Sequence, residues 1–173
     1  MLRNSNIGAF ATTEILRVER TEKRKVIRFP SHGFPCLKEL EINDVERDFR
    51  ILPSSLLSLD ISGCPKLRSL PKGDISCLSS LTELCIGPFS EEVDLASFNE
   101  IFQGIQQLHS LVHLELYGWP HFESLPDQLQ HLTLGVFRIY NFGMEALPEW
   151  IGNLAALQSL YLYTCQWLQQ KDQ

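Results

Sequence analysis

The sequence lacks the residue patterns of several large protein classes. Its five cysteines are an odd number and form no Cys-x-x-Cys pair, which argues against a disulfide framework or a zinc site and favours reduced thiols. No apolar run reaches the roughly 18–20 residues that a bilayer span requires. The sequence has no Asn-x-Ser/Thr glycosylation site, and its first ten residues lack the basic and then apolar pattern of a secretory signal. These absences predict a cytoplasmic protein with no membrane span.

Positive charge is scarce and unevenly distributed. The formal net charge is −6 and the pI is about 5.3, and this acidic balance argues against nucleic acid as a partner. Residues 1–35 carry seven Lys or Arg and three acids, whereas residues 36–173 carry eight and eighteen. The acidic part is interpreted either as a solvated surface or as a face that meets a basic partner or a neighbouring domain.

The motifs of common enzyme classes are also missing. There is no Gly-x4-Gly-Lys-Ser/Thr phosphate loop, no Gly-x-Ser-x-Gly motif and no His-Glu-x-x-His motif. His109 and His113 are four residues apart, but the leucines around them indicate a turn that enters a strand and not a shared helix. The sequence therefore predicts no enzyme, no metal site and no cofactor.

What the sequence has in abundance is leucine, which occurs 28 times and is periodic. The pattern L-x-x-L-x-L, in which another aliphatic residue or Phe replaces some leucines, occurs six times. The middle residues of the six copies are Leu40, Leu59, Leu84, Leu114, Phe137 and Leu160. Successive copies are 19, 25, 30, 23 and 23 residues apart, close to the roughly 20–29 residues of leucine-rich repeats.

This periodicity predicts the fold class. The alternating x-L-x-L-x segment is typical of a short strand with one buried face, and such a strand buries its leucines only by stacking beside the next copy. We therefore expect an α/β repeat solenoid, a leucine-rich repeat horseshoe with a parallel sheet on its concave side and short helical or irregular segments on its convex side. The repeats are assigned to residues 36–173, in about six copies with the last one truncated, which suggests a fragment. Residues 1–35 are assigned to a basic N-terminal arm, in which Leu16-x-Val18 is a candidate degenerate repeat.

Two further features concern the segments between the strands. Ser97 and Glu100 resemble a capping box, and the apolar residues that follow predict a helix from about Phe98 to Leu108, packed on the core. Three residues after the second strand leucine comes a turn position that we expect to point inward. It is occupied by Val45, Cys64, Phe89, Trp119, Phe142 and Cys165.

The residues between the strand leucines are predicted to line the concave face, where solenoids usually bind. The candidate partner-binding residues are Glu39, Glu41, Asp60, Glu83, His113, Glu115, Tyr117, Arg138, Tyr140, Tyr161 and Tyr163. Three tyrosines, Tyr117, Tyr140 and Tyr163, share one repeat position and are expected to form a column, and Glu115 and Arg138 are expected to be neighbours beside it. The sequence leaves two interpretations open: a self-packed aromatic surface with an exposed ion pair, or a protein-binding patch.

The repeats spanning Leu56–Pro71 and Leu147–Leu160 resemble the C-terminal leucine-rich repeats of plant intracellular immune receptors of the nucleotide-binding class, most closely its coiled-coil branch. The resemblance covers roughly Phe34 to Leu168. It implies a sensor and autoinhibitory module in plant defence that recognises a protein: a pathogen effector, a guarded host protein or the receptor's own nucleotide-binding domain. It also implies that ADP and ATP bind only in that other domain. The alternative function is a substrate-receptor or scaffold repeat of a ubiquitin-ligase adaptor.

Overall fold

The chain is an α/β structure organised around a parallel sheet. The computed structural model describes residues 12–19, 27–28, 34–43, 49–50, 52–64 and 75–165. Seven strands form the main sheet in chain order, and each pairs in parallel with the next. They are β1 (Ile15–Glu19), β3 (Glu39–Asn43), β5 (Ser58–Gly63), β6 (Glu83–Ile86), β7 (His113–Tyr117), β8 (Val136–Tyr140) and β9 (Ser159–Tyr163). A separate two-stranded parallel sheet pairs β2 (Ile27–Arg28) with β4 (Phe49–Arg50).

The strand leucines lie where the periodicity predicts. The middle residues of the six copies pair with one another from β3 to β9, as Leu84 does with Leu114 and Leu114 with Phe137. In β7 the side chains of Leu114 and Leu116 are fully buried, and the alternate residues His113, Glu115 and Tyr117 face away from the core. The predicted parallel strands are thus confirmed.

The first strand extends the same register toward the N-terminus. Leu16 pairs with Leu40 and Val18 with Ile42, so the weak copy at Leu16-x-Val18 is a strand of the sheet. Both side chains are partly buried against the core. The division of the chain at residue 35 stays a prediction.

A recurring backbone arrangement fixes the start of each later strand. The amides of Val112 and His113 both donate to the carbonyl oxygen of Thr82, at 3.0 Å each. The same arrangement occurs at the start of β3, β5, β6, β8 and β9. In each case two successive amides donate to the carbonyl oxygen of the residue just before the preceding strand. Each repeat therefore positions the next one through main-chain bonds, which do not depend on the side chains of the strands that face away from the core.

The connecting segments supply the other wall of the core. They contain one α-helix, α1 (Leu95–Ile101), and among the described residues four 3₁₀ segments, Ile75–Cys77, Ile105–Gln107, Asp127–His131 and Glu149–Asn153. An aromatic cluster lies under α1, with the Phe98 ring centroid 4.8–6.1 Å from four other phenylalanine rings. These are Phe89, Phe102, Phe122 and Phe142. Within the described ranges, no helix has the length and apolarity to cross a bilayer.

The helix prediction was right about its buried side and wrong about its ends. Its N-cap is Asp94, whose carboxylate accepts the Ser97 amide at 2.8 Å, so Ser97 lies in the first turn. The α-helix ends at Ile101, because Gly104 adopts a left-handed φ of 88° before the 3₁₀ segment. The predicted stripe is nevertheless buried along its whole length; its members are Phe98, Ile101, Phe102 and Ile105.

The inward turn positions are buried with one exception. Cys64, Phe89, Phe142 and Cys165 are buried, and the Cys64 thiol donates a hydrogen bond to the Ile42 carbonyl at 3.2 Å. Trp119 is only partly buried, because its indole N–H reaches the Phe89 carbonyl at 2.9 Å and holds the ring at the edge of the core. The prediction for Val45 lies outside the described residues.

Candidate protein-binding face

The sheet face opposite the core, here called the open face, carries three columns of side chains that run across the strands. The first column contains Ile15, Glu39, Ser58, Glu83, His113, Val136 and Ser159. The second contains Arg17, Glu41, Asp60, Cys85, Glu115, Arg138 and Tyr161. The third ends in Tyr117, Tyr140 and Tyr163. All of the candidate residues predicted from the sequence lie on this face, each half-buried or exposed.

The three tyrosines of the third column form a continuous stack. The ring centroids of Tyr117 and Tyr140 are 4.2 Å apart with planes 5° from parallel, and those of Tyr140 and Tyr163 are 4.6 Å apart at 9°. Parallel neighbours are about 4.8 Å apart, so identical side chains at one repeat position stack without adjustment. The predicted column is confirmed. Because both faces of the Tyr140 ring are covered, that ring offers its edge and hydroxyl to a partner.

A charged network connects the second column to the tyrosines. Arg138 Nη1 lies 2.6 Å from Glu115 Oε1, and the Tyr117 hydroxyl donates to Glu115 Oε2 at 3.1 Å. The Arg138 guanidinium carbon also lies 5.3 Å from the Tyr161 ring centroid, within cation–π range. The predicted proximity of Glu115 and Arg138 is thus a direct ion pair, and it fixes both side chains relative to the stack.

This environment raises the pKa of two of the stacked phenols. Burial is the main cause for Tyr117, and the Glu115 carboxylate that accepts its hydrogen bond adds to the shift, so its pKa lies well above the ordinary 10.0. The pKa of Tyr140 is raised by burial and then by the charge of Glu115. Both groups are therefore neutral hydrogen-bond donors at physiological pH.

The part of the open face on β3, β5 and β6 is acidic. Glu41 is paired with Arg17 at 2.6 Å and accepts a hydrogen bond from the side-chain amide of Asn43 at 2.7 Å. Asp60 accepts from the backbone N–H of Ser62 at 2.8 Å and from its hydroxyl at 2.6 Å, within its own strand. Glu83 lies 3.5 Å from His113 on the next strand.

Cys85 lies in the second column between these carboxylates. Burial, followed by the negative charges of Asp60, Glu115 and Glu83, raises the pKa of its thiol to about 12. The group is a neutral thiol near neutral pH and a poor nucleophile. Among the described residues, no three His, Cys, Asp or Glu side chains converge as a metal site requires.

Sequence reasoning missed two residues at the N-terminal end of this face. Arg17 continues the second column and pairs with Glu41, and Ile15 opens the first column with 55% of its surface exposed. Neither was predicted, because the leucine pattern of β1 is weak. The spacing of Leu16 from Leu40 was the available signal, since it places Arg17 opposite Glu41 once β1 is accepted as a strand.

Comparison with known proteins gives one informative match. No family model matches the chain. The chain is 34% identical over 136 residues to TMV resistance protein N of Nicotiana glutinosa. The match covers 67% of this chain and 12% of the relative, so the chain spans a small part of that protein's length.

Proposed function

We propose that this chain is a leucine-rich repeat solenoid that serves as the protein-recognition module of a plant immune receptor. The open face is then the concave surface of the solenoid, and its tyrosine stack with the Glu115–Arg138 pair is the centre of the binding site. The single observation that carries the proposal is this ordered aromatic and charged patch on a chain similar to a disease-resistance protein.

The composition of the patch favours protein recognition. Tyr and Arg are enriched among residues that dominate binding energy at protein interfaces, and here they are held in place before any partner arrives. Stacking fixes Tyr140 on both sides, and Arg138 is fixed by Glu115 and Tyr161. Binding a partner therefore costs little free energy for ordering these side chains. Tyr161 and Tyr163 keep 42% and 41% of their surfaces exposed.

The partner class follows from the receptor assignment. It is a protein: a pathogen effector, a guarded host protein or the nucleotide-binding domain of a full-length receptor. The module is cytoplasmic and acts by binding, both as a sensor and as an autoinhibitory contact, and not as an enzyme. ADP or ATP binds in the nucleotide-binding domain, because the phosphate loop that cradles nucleotide is missing from this sequence.

The experiment is a two-hybrid screen of the whole chain against libraries of host proteins and secreted pathogen proteins. The wild-type chain is compared with Tyr140→Ala, and with Glu123→Lys as a control for an exposed residue away from the open face. We expect binders that Tyr140→Ala loses and Glu123→Lys keeps. The gene that encodes this chain is then disrupted in the plant, and resistance to the pathogen that supplies the binder, or that targets it, is scored. Unchanged resistance would contradict the proposed function.

A further inference from the structure

The open face is polarised along the sheet. Its acids are concentrated on β3, β5 and β6, as Glu39, Glu41, Asp60 and Glu83. Its aromatic side chains are confined to β7, β8 and β9. A partner that covers the whole face therefore meets negative charge at one end and tyrosine at the other.

Much of the negative charge has no basic side chain beside it. Of the four acids, Glu41 is paired with Arg17, and within the described part of the chain the one basic group near Glu83 is the imidazole of His113. Among the described residues, Asp60 is bonded only within its own strand, and Glu39 forms no ion pair across the sheet.

The two ends of the face meet at a step. Gly87, the residue that follows β6, lies beside Tyr117; it has a φ of 85°, and a Cβ added to it would overlap the Tyr117 carbonyl oxygen. Because Gly87 has no side chain, the third column stops at Tyr117. One face of the Tyr117 ring is stacked on Tyr140, and on its other face, which is on the β6 side, no second ring of the described residues is stacked.

An open aromatic face beside carboxylates is the environment that a basic side chain prefers. A cation is attracted to the ring face of tyrosine, and the negative charge that Asp60 and Glu83 give to β5 and β6 adds attraction at longer range. Tyr140, in contrast, has no free ring face and offers an apolar edge with a hydroxyl. The two subsites are two strand spacings apart, about 10 Å, which lies between the roughly 7 and 13 Å that separate same-side residues two and four apart in an extended chain.

We propose that the open face binds a protein segment that crosses the strands, placing a Lys or Arg side chain above Gly87 against the Tyr117 ring and an apolar or aromatic side chain on the tyrosine stack. The inference rests on the proposed function and adds the chemistry and direction of the partner. The segment runs with its basic residue toward β5 and β6 and its apolar residue toward β8 and β9.

In the test, short peptides that bind the wild-type chain are selected from a random display library, and their affinities are measured. The face variant is Asp60→Asn with Glu83→Lys, in which the amide introduced by the first substitution keeps an acceptor for Ser62. The control variant, Glu123→Lys with Glu145→Gln, makes the same charge change at exposed residues of the connecting segments. Circular dichroism checks that both variants keep the wild-type fold.

We expect the selected peptides to contain Lys or Arg two or four residues from an aromatic or large apolar residue, so that both side chains face the sheet. The face variant weakens their binding by roughly tenfold or more, Tyr140→Ala weakens it comparably, and the control variant leaves it unchanged. Peptides without basic residues, or with equal affinity for the face variant, would overturn the inference and leave the proposed function standing. If no peptide distinguishes the wild-type chain from Tyr140→Ala, the inference also fails, and the resistance experiment alone decides the proposed function.

Discussion

The two faces of the seven-stranded sheet differ in how much their residues vary from strand to strand. From β3 to β8, the inward positions hold only Leu, Ile or Phe, and all of them are buried. Over the same strands, the outward positions change from Glu and Asp to Tyr and Arg. Since every repeat must fill the same core volume, packing restricts the inward residues. The main-chain bonds between repeats leave the outward residues free to vary.

The largest effect is expected for a substitution in the phenylalanine cluster of the core. Phe98→Ala removes a ring in contact with four others and leaves a cavity under α1. We expect a loss of about 3–5 kcal/mol in the free energy of unfolding, measured by urea titration. The matched control is Leu57→Ala at an exposed leucine. Equal losses for the two variants would show that the cluster is not the stabilising centre of the core.

A smaller effect is expected for the ion pair on the open face. In a double-mutant cycle with Arg138→Gln and Glu115→Gln, the coupling in unfolding free energy should be about 0–1 kcal/mol, because both side chains are partly exposed. The measurement is again urea unfolding, at low and high salt. A coupling free energy well above this range that does not fall at high salt would show that the pair stabilises the fold.

The stacked phenols predict a modest loss of stability at alkaline pH. The pKa of Tyr117 is higher in the folded state than its ordinary value of 10.0, so its contribution is complete below about pH 10 and is lost as the pH rises through the folded value. Tyr117→Phe should therefore show a shallower decline in unfolding free energy than the wild-type chain as the pH rises above about 10. Identical declines would mean that the phenol is not shielded by burial and Glu115.

The smallest effect concerns a single cap at the exposed end of α1. The Ser97 amide holds the pKa of Asp94 below its ordinary value of 3.8. Its contribution to stability is therefore present above that value and is lost as the pH falls through the lower, folded value. Asp94→Ala should slightly lower the unfolding temperature at neutral pH, while Asp94→Asn keeps an acceptor and most of the stability. A larger loss for Ser97→Ala would favour the cap first predicted at Ser97.

The sequence predicts the buried side of the molecule well, for a physical reason. Leu84 and Leu114 fill equivalent sites, so periodicity alone locates their strands, and the shared position of Tyr117 and Tyr140 predicts their stack. The pair of β2 with β4 is not predictable in this way, because a two-residue strand has no period.

Local chemistry explains the other differences between prediction and structure. Asp94 and Ser97 are both good N-caps, and the sequence does not rank them; the structure favours Asp94 because its carboxylate reaches the Ser97 amide. The Tyr117 hydroxyl bond to Glu115 and the step at Gly87 depend on side-chain directions and on a left-handed backbone, which no repeat pattern contains.

The central claim is that one face of the sheet maintains the fold and the other recognises a protein. It is tested most directly by measuring unfolding free energy and partner affinity for Leu114→Ala and Tyr140→Ala, using a binder from the two-hybrid screen. We expect Leu114→Ala to lose about 2–5 kcal/mol of stability through a core cavity. Tyr140→Ala should lose less than about 2 kcal/mol of stability but about 1–3 kcal/mol of binding free energy. If Tyr140→Ala unfolds the chain as much as Leu114→Ala does, or leaves affinity unchanged, the open face is not a recognition surface.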